Sequence, residues 1–274
     1  MLERNEEERQ MYNVLICGLG GQGILADAPG SENEHKIISY AKAFSLHAAT
    51  GLLCFDDKCN KKSIKAMQIY GGCATTLRYA CECKNIDIAV ISTPDDTHFG
   101  ILKQLAEYSL KLVICEKPLT TDLQQAIEIV QLYKDKNIPL MIDNTRNFIP
   151  ELRNLPNEHG KAISGYALFN RGLFHSAMHI FGFFRMLGCN NYKIRELDEL
   201  DFRVWILSVT FEDGFIWSEE RITNDMPVWS RYDHHMKYVV ENAYNFLEGK
   251  EPLFYTGEEA LKDIEECCKL MGAK

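Results

Sequence analysis

One stretch constrains this chain more than any other: a short apolar run that ends in spaced glycines, Tyr12-Asn13-Val14-Leu15-Ile16-Cys17-Gly18-Leu19-Gly20-Gly21-Gln22-Gly23-Ile24. The run is the length of a buried parallel strand, and the glycines follow the G-x-G-x-x-G pattern of a turn that receives a dinucleotide. Gly18 permits a tight exit from the strand, and Gly20 lets the backbone approach a pyrophosphate. Gly23 allows the next helix to pack on the sheet, and that helix is expected to turn its N-terminal amides toward the phosphates. Gly21, Gln22 and Ile24 complete the expected contact loop.

The alternation that follows predicts a doubly wound parallel sheet. Residues 25–36 carry Pro29, Gly30 and several acidic residues, and read as a loop inserted where a helix would begin. Residues 37–47 have helical spacing, and residues 51–55 form a second short apolar run. That run ends at Asp56-Asp57, where a carboxylate can hold the adenosine ribose; Asp56 is the candidate, a solvated acidic turn the alternative. Lys58, Lys61 and Lys62 nearby leave a 2′-phosphate open. Residues 62–71 and 75–83 read as helix or loop. Strands are expected at 86–91, 111–115 and 138–142, with helices to 108 and to 134. Asp95, Asp96 or Thr97 can cap the first of these helices, and Thr121 with Gln124 has capping-box spacing for the second. The glycine turn, Asp56, Ser92-Thr93-Pro94 and Glu116-Lys117-Pro118 all fall at the carboxyl ends of strands, where such sheets bind ligands.

After Asn144 the pattern changes. Strands are expected at 161–169, 192–196, 203–211 and 215–222, the last two joined by the turn Glu212-Asp213-Gly214, with one helix at 173–187. Helices at 232–247 and 258–271 close the chain, the last capped by Thr256 with Glu259. The expected organisation is a polar leader over 1–10, a Rossmann-type α/β domain over 11–145, and a shortened α+β domain with a mostly antiparallel sheet over 146–274.

Composition narrows the function classes. A net charge of −9 argues against a nucleic-acid surface, and no apolar run reaches membrane-spanning length. Ten cysteines without a paired C-x-x-C argue against structural zinc. Cys17, Cys54 and Cys115 read as core residues of a cytoplasmic protein.

Two groups could do chemistry. Lys117 is either a lysine in a surface turn or a cation facing an oxygen that gains negative charge. His175 and His179, four apart on an apolar helix, are a metal pair lacking further ligands, satisfied core residues, or a general acid/base. His234-His235 is expected at the surface of its helix.

Taken together, Gly18 to Gly23, Ser92-Thr93-Pro94-Asp95-Asp96-Thr97-His98, Glu116-Lys117-Pro118-Leu119 and Asn144-Thr145-Arg146-Asn147-Phe148-Ile149-Pro150 resemble the Gfo/Idh/MocA family of NAD(P)-dependent oxidoreductases. The helix around His179 is similar to that family's active-site helix. The resemblance implies that Ser92, Thr93, Pro94, His98, Glu116, Lys117 and Asn144 line NAD, with NADP open. It implies that Lys117 and His179 are catalytic, and that Arg146 and His175 join them in binding a sugar, inositol or nucleotide-sugar. A homo-oligomer through the second-domain sheet is also an expectation. Three departures stand out: His175 in place of a common aspartate, Asn147 in place of a common second arginine, and the short second domain. A non-catalytic dinucleotide sensor and an NAD-using hydrolase or lyase are the rival expectations.

Overall fold

The computed structural model describes residues 10–170, 172–198, 200–223 and 232–272. All but the last residue of the expected leader therefore lies outside the described residues.

The first sheet is built from the apolar runs. In chain order it contains β1 (Tyr12–Cys17), α1 (Tyr40–Leu46), β2 (Thr50–Asp56), α2 (Asn60–Tyr70), β3 (Cys73–Ala74) and α3 (Leu77–Cys83). It continues with β4 (Ile88–Ile91), α4 (His98–Leu105), β5 (Leu112–Glu116), α5 (Leu123–Asp135) and β6 (Leu140–Asp143). The six strands are all parallel, in the order β3-β2-β1-β4-β5-β6. The order reverses beside β1, which puts the glycine turn at the switch point where such sheets bind ligands. β4 is buried along its whole length, as expected of a strand covered on both faces. The two-residue strand β3 has too little apolar sequence to announce itself.

The second sheet follows α6 (Pro150–His159). It comprises β7 (Ala162–Phe169), β8 (Tyr192–Glu196), β9 (Arg203–Phe211) and β10 (Ile216–Thr223), in the order β10-β9-β7-β8. β9 is antiparallel to both its neighbours, whereas β7 and β8 are parallel because α7 (Met178–Met186) crosses between them. Gly214 takes a φ of +88° in the turn between β9 and β10, as the sequence suggests.

The last two helices do not stay with the second sheet. α8 (His235–Leu247) stacks Tyr244 on His47, beside α1, at 4.1 Å between ring centroids. α9 (Gly257–Gly272) packs on α5, and the Ile142 amide donates to the Tyr255 carbonyl. A boundary near residue 145 therefore separates the sheets but not the helices that cover them. Among the described residues no helix is long and apolar enough to cross a membrane.

Several helix ends differ from expectation. α1 begins at Tyr40 behind the Ser39 cap, because the amides of Ile38 and Ser39 are already held by Asp27 Oδ2 at 2.6 and 2.9 Å. α5 is capped by Asp122, which accepts from the Gln125 amide at 2.8 Å, and not by the Thr121–Gln124 pair. No side chain caps α4; Thr97 instead bonds Thr93 and the Pro94 carbonyl. The Thr256–Glu259 capping box forms, with both reciprocal bonds. His235 is 4% exposed, not on the surface, because the first turn of α8 faces the first sheet.

Asp27 anchors the inserted loop from inside the protein. Asp27→Ala leaves two buried amides without an acceptor and is expected to cost about 1–3 kcal/mol. An unchanged denaturation midpoint would refute that role.

Candidate active site

The three glycines have different neighbours. Gly18 has a φ of +90°, and a Cβ there would lie 2.5 Å from the Ser92 carbonyl. A Cβ on Gly23 would lie 2.2 Å from the Gly18 oxygen. Around Gly20, by contrast, no atom comes within 4 Å of the Cβ position. Two glycines are therefore required by the protein's own packing, and the third faces open space. The helix expected next is a single wide π turn, Gly21–Leu25, since the inserted loop begins there. One turn sums few peptide dipoles, so local amides rather than a helix field would meet a phosphate. Ile24 is fully buried and can contribute only backbone. Gln22 carries Oε1 shut off from solvent without a partner among the described residues.

Asp56 ends β2 next to this turn, where its carbonyl accepts from the Gly18 amide at 2.9 Å. Its carboxylate accepts from the Leu77 amide at 3.0 Å, and burial raises its pKa. Its neighbour Asp57, which sequence reasoning left without a role, accepts from the Leu19 amide at 2.8 Å and so braces the glycine turn. The Ser92–Pro94 turn lies against Gly18, with the Ser92 amide donating to the Cys17 carbonyl at 2.8 Å.

His98, an expected cofactor contact, sits between the turns that follow β4 and β5. It is fully buried, and its ring nitrogens lie 2.8 and 3.0 Å from the carbonyls of Pro118 and Thr93. It ties the turn after β4 to the turn after β5, whose Lys117–Pro118 peptide is cis.

Lys117 and His179 come together. The Lys117 Nζ donates to the His175 carbonyl at 3.1 Å, inside a second π turn, Leu173–Ala177, that leads into α7. His179 follows in that helix, half-buried, with Nδ1 2.9 Å from Asn144 Oδ1. The orientation of Asn144 is set from the other side, where its Nδ2 donates to the Met178 carbonyl at 3.0 Å. An amide oxygen only accepts, so His179 carries its proton on Nδ1 and presents Nε2 as a base. Burial drives the His179 pKa well below its ordinary value, and the positive charges of Lys117, Arg146, Arg203 and His175 lower it further. Burial also lowers Lys117; an ionised Glu116 would oppose this, as do Asp95 and Asp143, while Arg203 adds to it.

Asn144 was expected against the cofactor; it is fully buried and orients the histidine. Arg146 was expected on the substrate. Its guanidinium is turned to buried Glu219, at 2.8–3.1 Å through Nε and Nη2, and lies 4.6 Å over the Trp205 ring. Trp205 meets His179 edge to face at 6.4 Å, so Arg146 reaches the histidine through an indole. Nothing in the sequence around Trp205 signals this. The His175 ring is exposed, with Nε2 3.5 Å from Asp95 Oδ2. Because the intervening turn is wider than an α turn, the two histidines have different partners. Glu116 buries Oε1 without a partner beside Asp143, its neighbour on β6.

The sequence and fold have relatives. Residues 12–144 match the profile of an oxidoreductase family with an NAD-binding Rossmann fold. An inositol 2-dehydrogenase of Rhizobium meliloti (strain 1021) is 29% identical over 111 residues, which is 40% of this chain and 33% of that protein. One from Corynebacterium glutamicum (strain R) is 31% identical over 100 residues, 36% of this chain and 29% of that one. The aligned part thus spans about a third of the length of these curated relatives. Among solved structures, a myo-inositol dehydrogenase from Corynebacterium glutamicum ATCC 13032 superposes with a TM-score of 0.72 at 13% identity, covering 96% of both chains. GenD2 from gentamicin A biosynthesis, in complex with NAD, gives 0.66 at 14% identity over 97% of this chain and 95% of that one. At those identities the structures establish the fold alone. Residues 12–144, with their glycine turn at the sheet's switch point, thus match the Gfo/Idh/MocA oxidoreductase family model, which covers just under half of the chain.

Proposed function

We propose that this chain is an NAD(P)-dependent oxidoreductase that moves a hydride between a nicotinamide and a secondary hydroxyl of an inositol, sugar or nucleotide-sugar. The carrying observation is the meeting of an ammonium with an imidazole fixed as a base. Lys117 bonds the turn that leads into His179, whose Nε2 is left to accept. The relatives named for inositol support the substrate class.

The residues present fit a dinucleotide. Gly20 offers bare backbone at the switch point, Gln22 an unpartnered buried oxygen, and Asp56 a carboxylate at the end of β2 for ribose hydroxyls. That carboxylate would repel a 2′-phosphate and favours NAD. When bound, the nicotinamide supplies the site that takes or gives the hydride. The protein's part is position and charge. His179 Nε2 takes the hydroxyl proton during oxidation, while Lys117 stabilises the negative charge growing on the oxygen. His175, exposed and close to Asp95, stands where a second substrate hydroxyl can bond it. Arg146, clamped to Glu219, holds Trp205 against His179.

Three outcomes test this reading. Gly20→Ala adds a methyl where the protein has space, so Tm should stay within a degree or two while NAD affinity falls about tenfold or more, or ~1.4 kcal/mol. Equal NAD affinity would remove the pyrophosphate from this loop. Lys117→Met should lower kcat on an identified polyol by roughly a hundredfold or more; wild-type turnover would end the assignment. Oxidation requires neutral His179, and its pKa is depressed below the ordinary 6.5. The acid limb of kcat/KM should therefore lie below that value, with a plateau through neutrality. A limb above 6.5 would exclude His179 as the base.

A further inference from the structure

Glu116 and Asp143 are directly paired residues of the parallel strands β5 and β6, so their carboxyl groups leave the sheet on one face. Two helices close over them. Tyr40 on α1 donates its hydroxyl to Asp143 Oδ2 at 2.9 Å. His235 on α8 has Nδ1 3.1 Å from the Tyr232 carbonyl, which fixes the proton there and leaves Nε2 as an acceptor. Glu116 Oε1, Asp143 Oδ1 and His235 Nε2 are all shut off from solvent with no hydrogen-bond partner among the described residues. Acceptors cannot satisfy one another, and two ionised carboxylates side by side in a dry site repel. Among the described residues no three His, Cys, Asp or Glu side chains are disposed to hold a metal ion. A proton from solvent meets both needs.

The surrounding charges agree. Burial raises both carboxyls, Glu116 well above its ordinary value, and the charge of Asp143 raises Glu116 further, while Lys117 opposes the rise in both. A protonated His235 would favour the ionised form of Asp143; with His235 held neutral by burial, the Tyr40 hydroxyl and Thr145 do so. Asp95 faces Lys117, Asp27 faces His235, and the Cys115 thiol lies near Tyr40.

We propose that Glu116 and Asp143 hold a single proton between them at neutral pH, carried mainly on Glu116, and that Asp143 is thereby a positioning residue that keeps the Lys117 ammonium charged. The use of that ammonium rests on the oxidoreductase reading; the shared proton does not. Asp143 acts on Lys117 through its charge, and Tyr40 acts on Asp143 through its hydroxyl.

The test uses the full-length protein without substrate. The infrared spectrum of the wild type at neutral pH should contain a protonated-carboxyl C=O band that Glu116→Gln removes. The titration of Lys117, followed by its pH-dependent reaction with an amine reagent and mass spectrometry, should fall by about one pH unit in Asp143→Asn. Glu116→Gln, which replaces a neutral acid with a neutral amide, should leave the Lys117 midpoint in place. If Asp143→Asn does not fold, Tyr40→Phe should lower the Lys117 midpoint in the same direction. Absence of the carboxyl band, or a Lys117 midpoint unmoved in a folded Asp143→Asn or Tyr40→Phe protein, overturns the proposal. A normal band and titration without nicotinamide reduction on any polyol would instead count against the oxidoreductase reading alone.

Discussion

The backbone contact between the tips of β1 and β4 is the constraint on which the rest is arranged. Gly18 and Gly23 are hydrogen-only positions because Ser92 and the Gly18 carbonyl already fill the space a methyl would take. That contact brings the Ser92–Pro94 turn beside the glycine turn, and His98 then ties it to the turn that carries Lys117. The open ground at Gly20 is what remains when these pieces are in place. The loop is therefore tight where it touches its own chain and bare at Gly20.

Charge around His179 is arranged with similar economy. Positive groups crowd the imidazole, so holding a proton there is unfavourable and the ring rests as a base. The protein offsets this concentration of positive charge from beneath and behind: Glu219 lies between Arg146 and Arg221, and Asp95 lies near His175. A buried Arg–Glu pair contributes little net stability when desolvation is counted, so its worth here lies in fixing where the guanidinium and the indole under it sit.

The sequence disclosed the parallel sheet, since five short apolar runs alternating with helical stretches leave few alternatives, and with it the placement of the glycine turn, Asp56 and Lys117. It disclosed less where partners come from distant segments. The residues around Asn144 resemble a family segment, yet only the fold reveals that the amide bridges His179 and the Met178 carbonyl, because Met178 lies 34 residues away. Arg146 looks free in sequence and is held by Glu219, 73 residues on. His235 seemed a surface residue because a helix start beside another histidine is usually wet; the return of α8 to the first sheet buried it. Asp57 and Trp205 act through contacts no local pattern encodes.

That return of the chain has a mechanical side. The path leaves the first sheet after β6, builds the second, and comes back to lay α8 and α9 on the helices it started from. The second sheet is thus tethered at both of its ends to a single body. Any displacement of the second sheet against the first must therefore satisfy both attachments at once, which a sheet joined through one linker would not have to do.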